Sequence, residues 1–563
     1  MKNFKESVIY QIWPRSFCDS NGDGIGDLRG IALKLDYIKS LGVDYIWLSP
    51  IYSSPNKDYG YDIDDYYKIH PDFGTMEDFD YLLSETKHRD MNIIMDFVPN
   101  HTSDQHPWFQ DAIKNTNSKY RNYYYFKEGK KAEKQGKSVS IPPNNWMSAF
   151  GGSAWQYDEA SSNYYLTLFT PNQCDLNWEN EEVRYGIYEA MRFWLNKGIA
   201  GFRLDVINTI AKTKGLPDAG DSSKMEFPFE HVISLPKSHE YVHEMYENVF
   251  KHYDCITIGE GMLTDLSNLN LYTAPESQEL NLMFQFDLHM LGCGKLGKFD
   301  FRNFYRYNIS DMKEVIEHWQ EGTQKGQGWL GNYLSNHDQP RQVSRFGNDK
   351  KYRIASAKAL ALLNFTLQGT PFLYQGEEIG MTNLKLKKDE WKDYEAVNAY
   401  EVLKKMHLPA FLAKKVIQKM SRDNARTPMQ WTGETYAGFS TAWPWIKLNP
   451  NYTSINVAAD LVSKDSLIHF YQSLSALRKK YPALCYGTYI PLCKNNKKAI
   501  AFVREYDNTR FVITINLSNT VAHIDLSSTG YKHGVLLLGT HLIDGFFLHY
   551  ELQPYEGRVY LIK

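Results

Sequence analysis

Eight times along this chain a short run of apolar, β-branched and aromatic residues ends in polar ones and gives way to helical spacing. The runs are VIYQIW (8–13), VDYIWLSP (43–50), NIIMDFVPNH (92–101), GIAGFRLDV (198–206), CITIGE (255–260), LNLMFQFD (280–287), GNYLSNHD (331–338) and GTPFLYQGEE (369–378). Helix-like segments lie between them, such as IALKLDYIKSL, VRYGIYEAMRFWL and RIASAKALALL. Strands alternating with helices imply right-handed crossovers and a parallel sheet. Eight such units predict an α/β fold, a closed (β/α)8 barrel with its chemistry at the C-terminal ends of the strands. His101, Asp205, Glu260 and Asp338 each end an apolar run. Any one of them reads equally well as a cap or turn residue; several on different strands converge on one mouth.

Two stretches depart from a plain barrel. After the third run the chain from 102 to 175 is long, and its Lys-rich part, KEGKKAEKQGK (127–137), suits a solvated flap. After the last barrel helix, KAIAFVREY, RFVITINLS and RVYLIK are short strand patterns with turn signals between them. The expected division is a barrel at 1–101 and 176–480, an inserted subdomain at 102–175 and a C-terminal β-sandwich at 481–563.

Bulk properties exclude several classes of function. A net charge of −3 argues against nucleic acid, whose phosphates call for a basic face. No segment is long and apolar enough to span a membrane, since AKALALLNFTLQ is broken by Lys358, Asn364 and Gln368. The N-terminus, MKNFKES, lacks the apolar core of a signal peptide. Six scattered cysteines (Cys18, Cys174, Cys255, Cys293, Cys485, Cys493) show no metal-ligand spacing and fit reduced thiols in the cytoplasm. The 40 Tyr, 29 Phe and 13 Trp supply faces that stack on sugar rings as readily as they fill a core.

The stretch DSNGDGIGD (19–27) has the alternating oxygen donors and glycine of a calcium-sensor loop. The closing Glu of that motif would fall at Gly30, and the segment entering the loop is strand-like. A structural cation loop, with the Ile25 carbonyl as a further donor, and an Asx-rich turn both remain open on the residues alone.

Seven motifs in order carry a family resemblance: DYGYDI (58–63), DFVPNH (96–101), GFRLDV (201–206), IGE (258–260), SNHDQPR (335–341), QGEEIGMTN (375–383) and RDNARTPMQW (422–431). With them the chain resembles, over essentially its whole length, the α-amylase superfamily of glycoside hydrolases (family 13), and within it the oligo-1,6-glucosidase group of exo-α-glucosidases.

The resemblance implies Asp205 as nucleophile, Glu260 as acid/base and Asp338 as a third carboxylate binding sugar hydroxyls beside His101 and His337. Retention needs the first two about 5 Å apart. Arg203, in step with Asp205 on an alternating strand, is expected to hold Asp205 ionised while a drier Glu260 keeps its proton. An Asp58–Arg422 ion pair would close the pocket behind the terminal glucose, Tyr61 would stack on that glucose, and Phe169 and Gln173 would line the wall. Val206, after the nucleophile, is expected to flank the acceptor side and favour α-1,6 linkages. The first loop would hold a structural Ca2+ through Asp19, Asn21, Asp23, the Ile25 carbonyl and Asp27; no organic cofactor is implied. Partners would be small oligosaccharides acted on by a cytoplasmic monomer, with no nucleic acid or membrane.

Two positions depart from the group's pattern: Pro99 replaces an aliphatic residue, and GEGM puts Gly261 after the acid, which bears on the leaving-group side. Alternatives on the same fold are a sucrose isomerase or other transglucosylase, for which FRNFYRY (301–307) is a faint echo of the signature. Others are a trehalose-6-phosphate hydrolase, with the Lys-rich flap as phosphate clamp, and an inactive sugar-binding homologue.

Overall fold

The computed structural model describes residues 2–563 apart from 135–136, 295–296, 301–306 and 542–544. Eight strands make one parallel sheet: β1 (Ile9–Ile12), β2 (Tyr45–Leu48), β3 (Asn92–Phe97), β4 (Gly201–Leu204), β5 (Ile256–Glu260), β6 (Leu282–Phe284), β7 (Gly331–Asn332) and β8 (Thr370–Tyr374). Their spatial order is β6-β5-β4-β3-β2-β1-β8-β7. The ring closes where the Met283 N–H donates to Trp329 O at 3.2 Å. This is the expected barrel.

Period-two alternation decides which side chains enter the axis. Tyr45, Trp47, Ile94, Ile256, Ile258, Leu282, Phe284 and Phe372 form one apolar cluster. Their neighbours Ile46, Leu48, Ile93, Met95, Phe202 and Leu204 belong to a second, shared with the helices. Both faces are thus apolar, as parallel sheets require. Asp96, in step with Ile94, Arg203, out of step with Phe202 and Leu204, and Glu260, in step with Ile258, are therefore turned into the axis.

Two strand ends differ from expectation. The run 92–101 stops as a strand at Phe97, because Pro99 has no N–H for the ladder. His101 instead opens a strand, His101–Ser103, antiparallel to Gln173–Asp175. β7 is only two residues long, and the Asn336 side chain accepts the Asp338 N–H at 2.8 Å, turning the chain away from the sheet.

Residues 102–175 carry a three-stranded sheet (Phe126–Glu128, Asn163–Leu166, Trp155–Asp158) and an exposed Lys-rich hairpin. Trp146, Trp155, Leu168 and Phe169 pack there with Val206, Leu216, Val232 and Ile233, so the segment after β4 shares this core. After β8, the helices Tyr394–Lys405 and Ala410–Met420 pair over a cluster of their own. At the C-terminal end a five-stranded sheet and a two-stranded one follow. The Lys313 ammonium, on a barrel helix, ties them on by donating to the carbonyls of Cys493, Lys494 and Asn496 at 2.8–3.1 Å. Among the described residues no helix is long and apolar enough to cross a membrane.

Candidate active site

The inward-facing polar residues gather on one guanidinium. Arg203 Nη1 donates to Asp96 Oδ1 at 2.8 Å and to Asp205 Oδ1 at 2.7 Å. Its Nη2 lies 2.7 Å from Glu260 Oε2, which also accepts the Val206 N–H at 3.0 Å. Glu260 is the last residue of β5 and Asp205 immediately follows β4. Both are nearly buried, 7% and 8% exposed for Asp205 and Glu260, so neither is the drier.

The expected division of labour therefore needs correction. Arg203 holds both carboxylates at the same distance and does not single out Asp205. Burial pushes the Asp205 carboxyl well above its usual range; Arg203 opposes the rise, and Glu260 and Asp96 add to it. Burial raises Asp96 too, against Arg203 and His337. Three buried carboxylates around one cation leave the group with excess negative charge, which favours keeping a proton among them.

Asp338 behaves oppositely. Burial alone would raise it, but His337, Arg422 and Arg426 hold it well below the usual carboxylate range. His337 Nε2 is 3.0 Å from its Oδ2, and Arg426 Nη2 is 2.8 Å from its Oδ1. The His337 ring is sandwiched between Trp13 (5.3 Å, 12°) and Tyr61 (5.3 Å, 7°). With the Gln11 amide nitrogen 2.7 Å from Nδ1, Nε2 is left to face both the Tyr61 hydroxyl at 2.6 Å and Asp338. One face of Tyr61 is thereby covered by His337, and its hydroxyl donates to Asp96 at 3.0 Å. The Arg203 guanidinium carbon lies 5.9 Å from the centre of the same ring.

A buried ion pair abuts Asp338. Arg422 Nη2 donates to Asp58 Oδ1 at 3.2 Å, with Asp338 3.6 Å from Nη1 and the Phe150 ring 5.0 Å from the guanidinium carbon. Burial raises Asp58, against Arg422 and Arg426. On the roof, Gln173 Nε2 meets His101 Nε2 at 3.0 Å and donates to Tyr61 O at 3.2 Å. Phe169 tilts on His101 at 5.3 Å. Burial pushes His101 down to about 4, so it is neutral near pH 7. Every residue expected at the site thus belongs to one connected group.

Val206 is there for a different reason than strand alternation. β4 ends at Leu204, and Val206 adopts a left-handed backbone (φ 37°, ψ 40°). That conformation is strained for a β-branched residue. The turn sends its side chain into the cluster with Trp146, Phe169 and partly buried Met262. At Gly261 a Cβ would lie 2.7 Å from both Met283 Sδ and Thr264 Cγ2, so a larger residue needs those side chains to shift.

The loop 19–27 is wound on its own amides. Asp19 accepts the N–H groups of Asn21, Gly22 and Gly24, and Asp23 accepts that of Ile25. Asp27 caps the next helix through Gly30 N–H at 2.6 Å. Gly22 and Gly24 take the left-handed φ the turn needs (82° and 89°). The hard oxygen donors suit a calcium-sized ion in kind. Among the described residues, however, no three acidic, His or Cys side chains gather as a metal-holding group.

Asp96, Arg426 and Asp393 belong to the site although sequence patterns do not single them out. Asp96 was legible in principle, as an acid in step with inward Ile94 on a buried strand. Arg426 lies within the RDNARTPMQW motif, four residues beyond Arg422. In the Lys-rich hairpin, Lys130 pairs with Asp218 at 3.2 Å. The FRNFYRY stretch lies, but for Tyr307, outside the described residues.

A parallel barrel with buried carboxylates at the ends of neighbouring strands sets its chemistry at one mouth and suits acid–base and nucleophilic catalysis. A family model described as the alpha-amylase catalytic domain matches residues 11–487, and the chain belongs to that family of glycoside hydrolases. It is 47% identical to the oligo-1,6-glucosidase of Bacillus cereus, over 100% of this chain and 99% of that protein. The structure of trehalose-6-phosphate hydrolase from Bacillus licheniformis has a TM-score of 0.92 at 40% identity, covering 99% of both chains. The isomaltulose synthase of Klebsiella sp. LX3 also gives 0.92, at 38% identity, covering 100% of this chain and 99% of that one.

Proposed function

We propose that the protein is a retaining, exo-acting α-glucosidase that releases glucose from the non-reducing end of short α-1,6-linked gluco-oligosaccharides such as isomaltose and isomaltotriose. The observation that carries the reading is the buried Asp58–Arg422 pair at 3.2 Å, with Asp338 3.6 Å from the same guanidinium, which we take as the end wall of the pocket. A blocked end admits a chain terminus and rejects the interior of a polymer.

Asp205 attacks the anomeric carbon while Glu260 gives its proton to the departing glycosidic oxygen, leaving a glucosyl ester on Asp205. Glu260 then takes a proton from water as it attacks the same carbon, and the ester breaks to release glucose with its configuration retained. Two carboxylates on the two terminal nitrogens of one guanidinium support the short, retaining spacing of about 5 Å. Asp338 and neutral His101 would bind hydroxyls.

The apolar wall at Val206 supports α-1,6 over α-1,4 linkages, since sugar hydroxyls buried against it lack partners, at roughly 1–3 kcal/mol each. The test is a side-by-side assay on isomaltose, maltose, sucrose, isomaltulose and trehalose 6-phosphate, with NMR of the first-formed anomer. Glucose from isomaltose with maltose poor, and a Val206→Thr enzyme shifted toward maltose, is the expected result. Preference for maltose, rearrangement of sucrose, or turnover confined to the phosphorylated sugar would each overturn it.

We further infer a structural Ca2+ at the first loop, where Asp19, Asn21, Asp23, the Ile25 carbonyl and Asp27 would hold it and brace the barrel rim. Six unpaired cysteines support a reducing, cytoplasmic setting.

A further inference from the structure

We propose that Asp393 is a positioning residue that sets how tightly the pocket's closed end grips the terminal sugar, by fixing the Arg422 guanidinium against Asp58. The inference rests on the reading of the Asp58–Arg422 pair as the end wall.

Asp393 lies outside the barrel strands, in the segment after β8, with its side chain fully buried. Its Oδ1 accepts Arg422 Nε at 2.8 Å and the Glu395 N–H at 3.1 Å. Its Oδ2 accepts the Arg422 N–H at 3.0 Å and the Ser421 hydroxyl at 3.3 Å. One carboxylate thus grips both the backbone and the Nε edge of the same arginine. Because the guanidinium is a flat, rigid fork, fixing Nε fixes where the two terminal nitrogens point. They point at Asp58 (3.2 Å) and Asp338 (3.6 Å).

The same contacts clasp the base of the helical pair. Asp393 caps the helix Tyr394–Lys405, while Asp423, beyond the second helix, accepts the N–H groups of Lys392 and Asp393 at 2.9 and 3.3 Å. The end wall is therefore carried by this inserted pair, and Asp393 is where the pair meets the wall. Burial would raise the Asp393 carboxyl, but Arg422, Lys298 and Arg426 hold it at about 2, so it is ionised at any working pH. Without that charge, Arg422 keeps Asp338 at 3.6 Å and Glu395 at 3.9 Å as competing partners. The fork is then free to leave Asp58, whose contact is already long for a charge-assisted bond.

The experiment uses the full-length enzyme and the isosteric Asp393→Asn, which retains a helix-capping amide. KM for isomaltose and the inhibition constant for glucose are expected to rise together by about tenfold, with kcat within about threefold, because the lost contact binds ground and transition states alike. Asp393→Glu should recover part of the loss. Combining Asp393→Asn with Asp58→Asn should be no worse than the poorer single variant, since both act through Arg422. If Asp393→Asn does not fold, Asp393→Ser, which also caps, replaces it. Unchanged KM and glucose inhibition in a folded variant, or losses that multiply in the double variant, would overturn the proposal. Failure of the underlying reading looks different: Asp58→Asn alone would leave KM untouched, or the wild-type enzyme would release products other than glucose.

Discussion

Lys212 offers a sharp test of how the roof is held over the site. Its ammonium, fully buried, lies 2.7 Å from Asp175 Oδ1 and donates to Asn100 Oδ1 at 2.8 Å. Asp175 is as buried, and its remaining donors are Asn100 Nδ2 at 3.0 Å and the Leu168 N–H at 2.7 Å. The pair joins the segment after β4 to the strand Gln173–Asp175, whose register sets Asp175 opposite His101. Lys212→Met keeps the volume but leaves a buried carboxylate without its cation, which costs about 3–5 kcal/mol. If the roof opens locally, amide exchange in His101–Ser103 and Gln173–Asp175 should quicken by roughly two to four orders of magnitude. Adding Asp175→Asn removes the stranded charge, so the double variant should recover most of the loss; a native-state exchange experiment on wild type, both singles and the double reads all four corners. Exchange in Lys212→Met equal to wild type, or a double variant worse than the single, would refute the reasoning.

Asp205→Asn and Glu260→Gln should each lower kcat by about four orders of magnitude or more with circular dichroism unchanged, since each removes half of the double displacement. Asp96 adds to the rise of Asp205, so Asp96→Asn should move the acid limb of kcat/KM to lower pH, measured as a pH profile. His289 is buried, neither ring nitrogen has a hydrogen-bond partner among the described residues, and burial with Arg345 nearby pushes it down to about 3. The unfolded chain then binds the extra proton below about 6.5, so this group's penalty grows as pH falls and reaches about 2 kcal/mol by pH 5. His289→Phe should flatten the acid side of stability against pH in urea titrations at pH 5 and 7. Chelator should lower the melting temperature of wild type but not of Asp23→Ala, by mass action on a site present only when folded; equal melting with and without chelator counts against the cation.

The barrel was legible because eight apolar runs alternate with helical spacing and several end in charge, and a parallel sheet buried on both faces leaves that mark. Strand ends were less so. In NIIMDFVPNH the apolar pattern runs on, yet Pro99 cannot donate to the ladder, so His101 reaches the site from the roof instead of from β3. Val206 was legible as a site residue but its left-handed turn was not: φ 37° is strained for a β-branched residue, and local propensity argues against it. The helices Tyr394–Lys405 and Ala410–Met420 carry the same amphipathic period as barrel helices. Nothing in that period says that they face each other and hold Arg422 instead of covering the sheet.

The same limit explains why the assignment of protons could not be read from residue types. Arg203 two residues before Asp205 suggests a private ion pair, but alternation also brings Asp96 and Glu260 to the inner face, and the cation is shared three ways. A retaining glycosidase needs one carboxylate ionised and its neighbour protonated at the same pH. Two carboxylates on one cation already leave one negative charge in excess; the third doubles that excess and strengthens the tendency to keep a proton. Asp96, which touches neither end of the scissile bond in this reading, is then the residue that enlarges the surplus. Its own place is fixed by Trp47 Nε1 at 3.1 Å and the Tyr61 hydroxyl at 3.0 Å. The barrel's inner layer, set by period-two alternation alone, thereby determines how many charges the active site must divide.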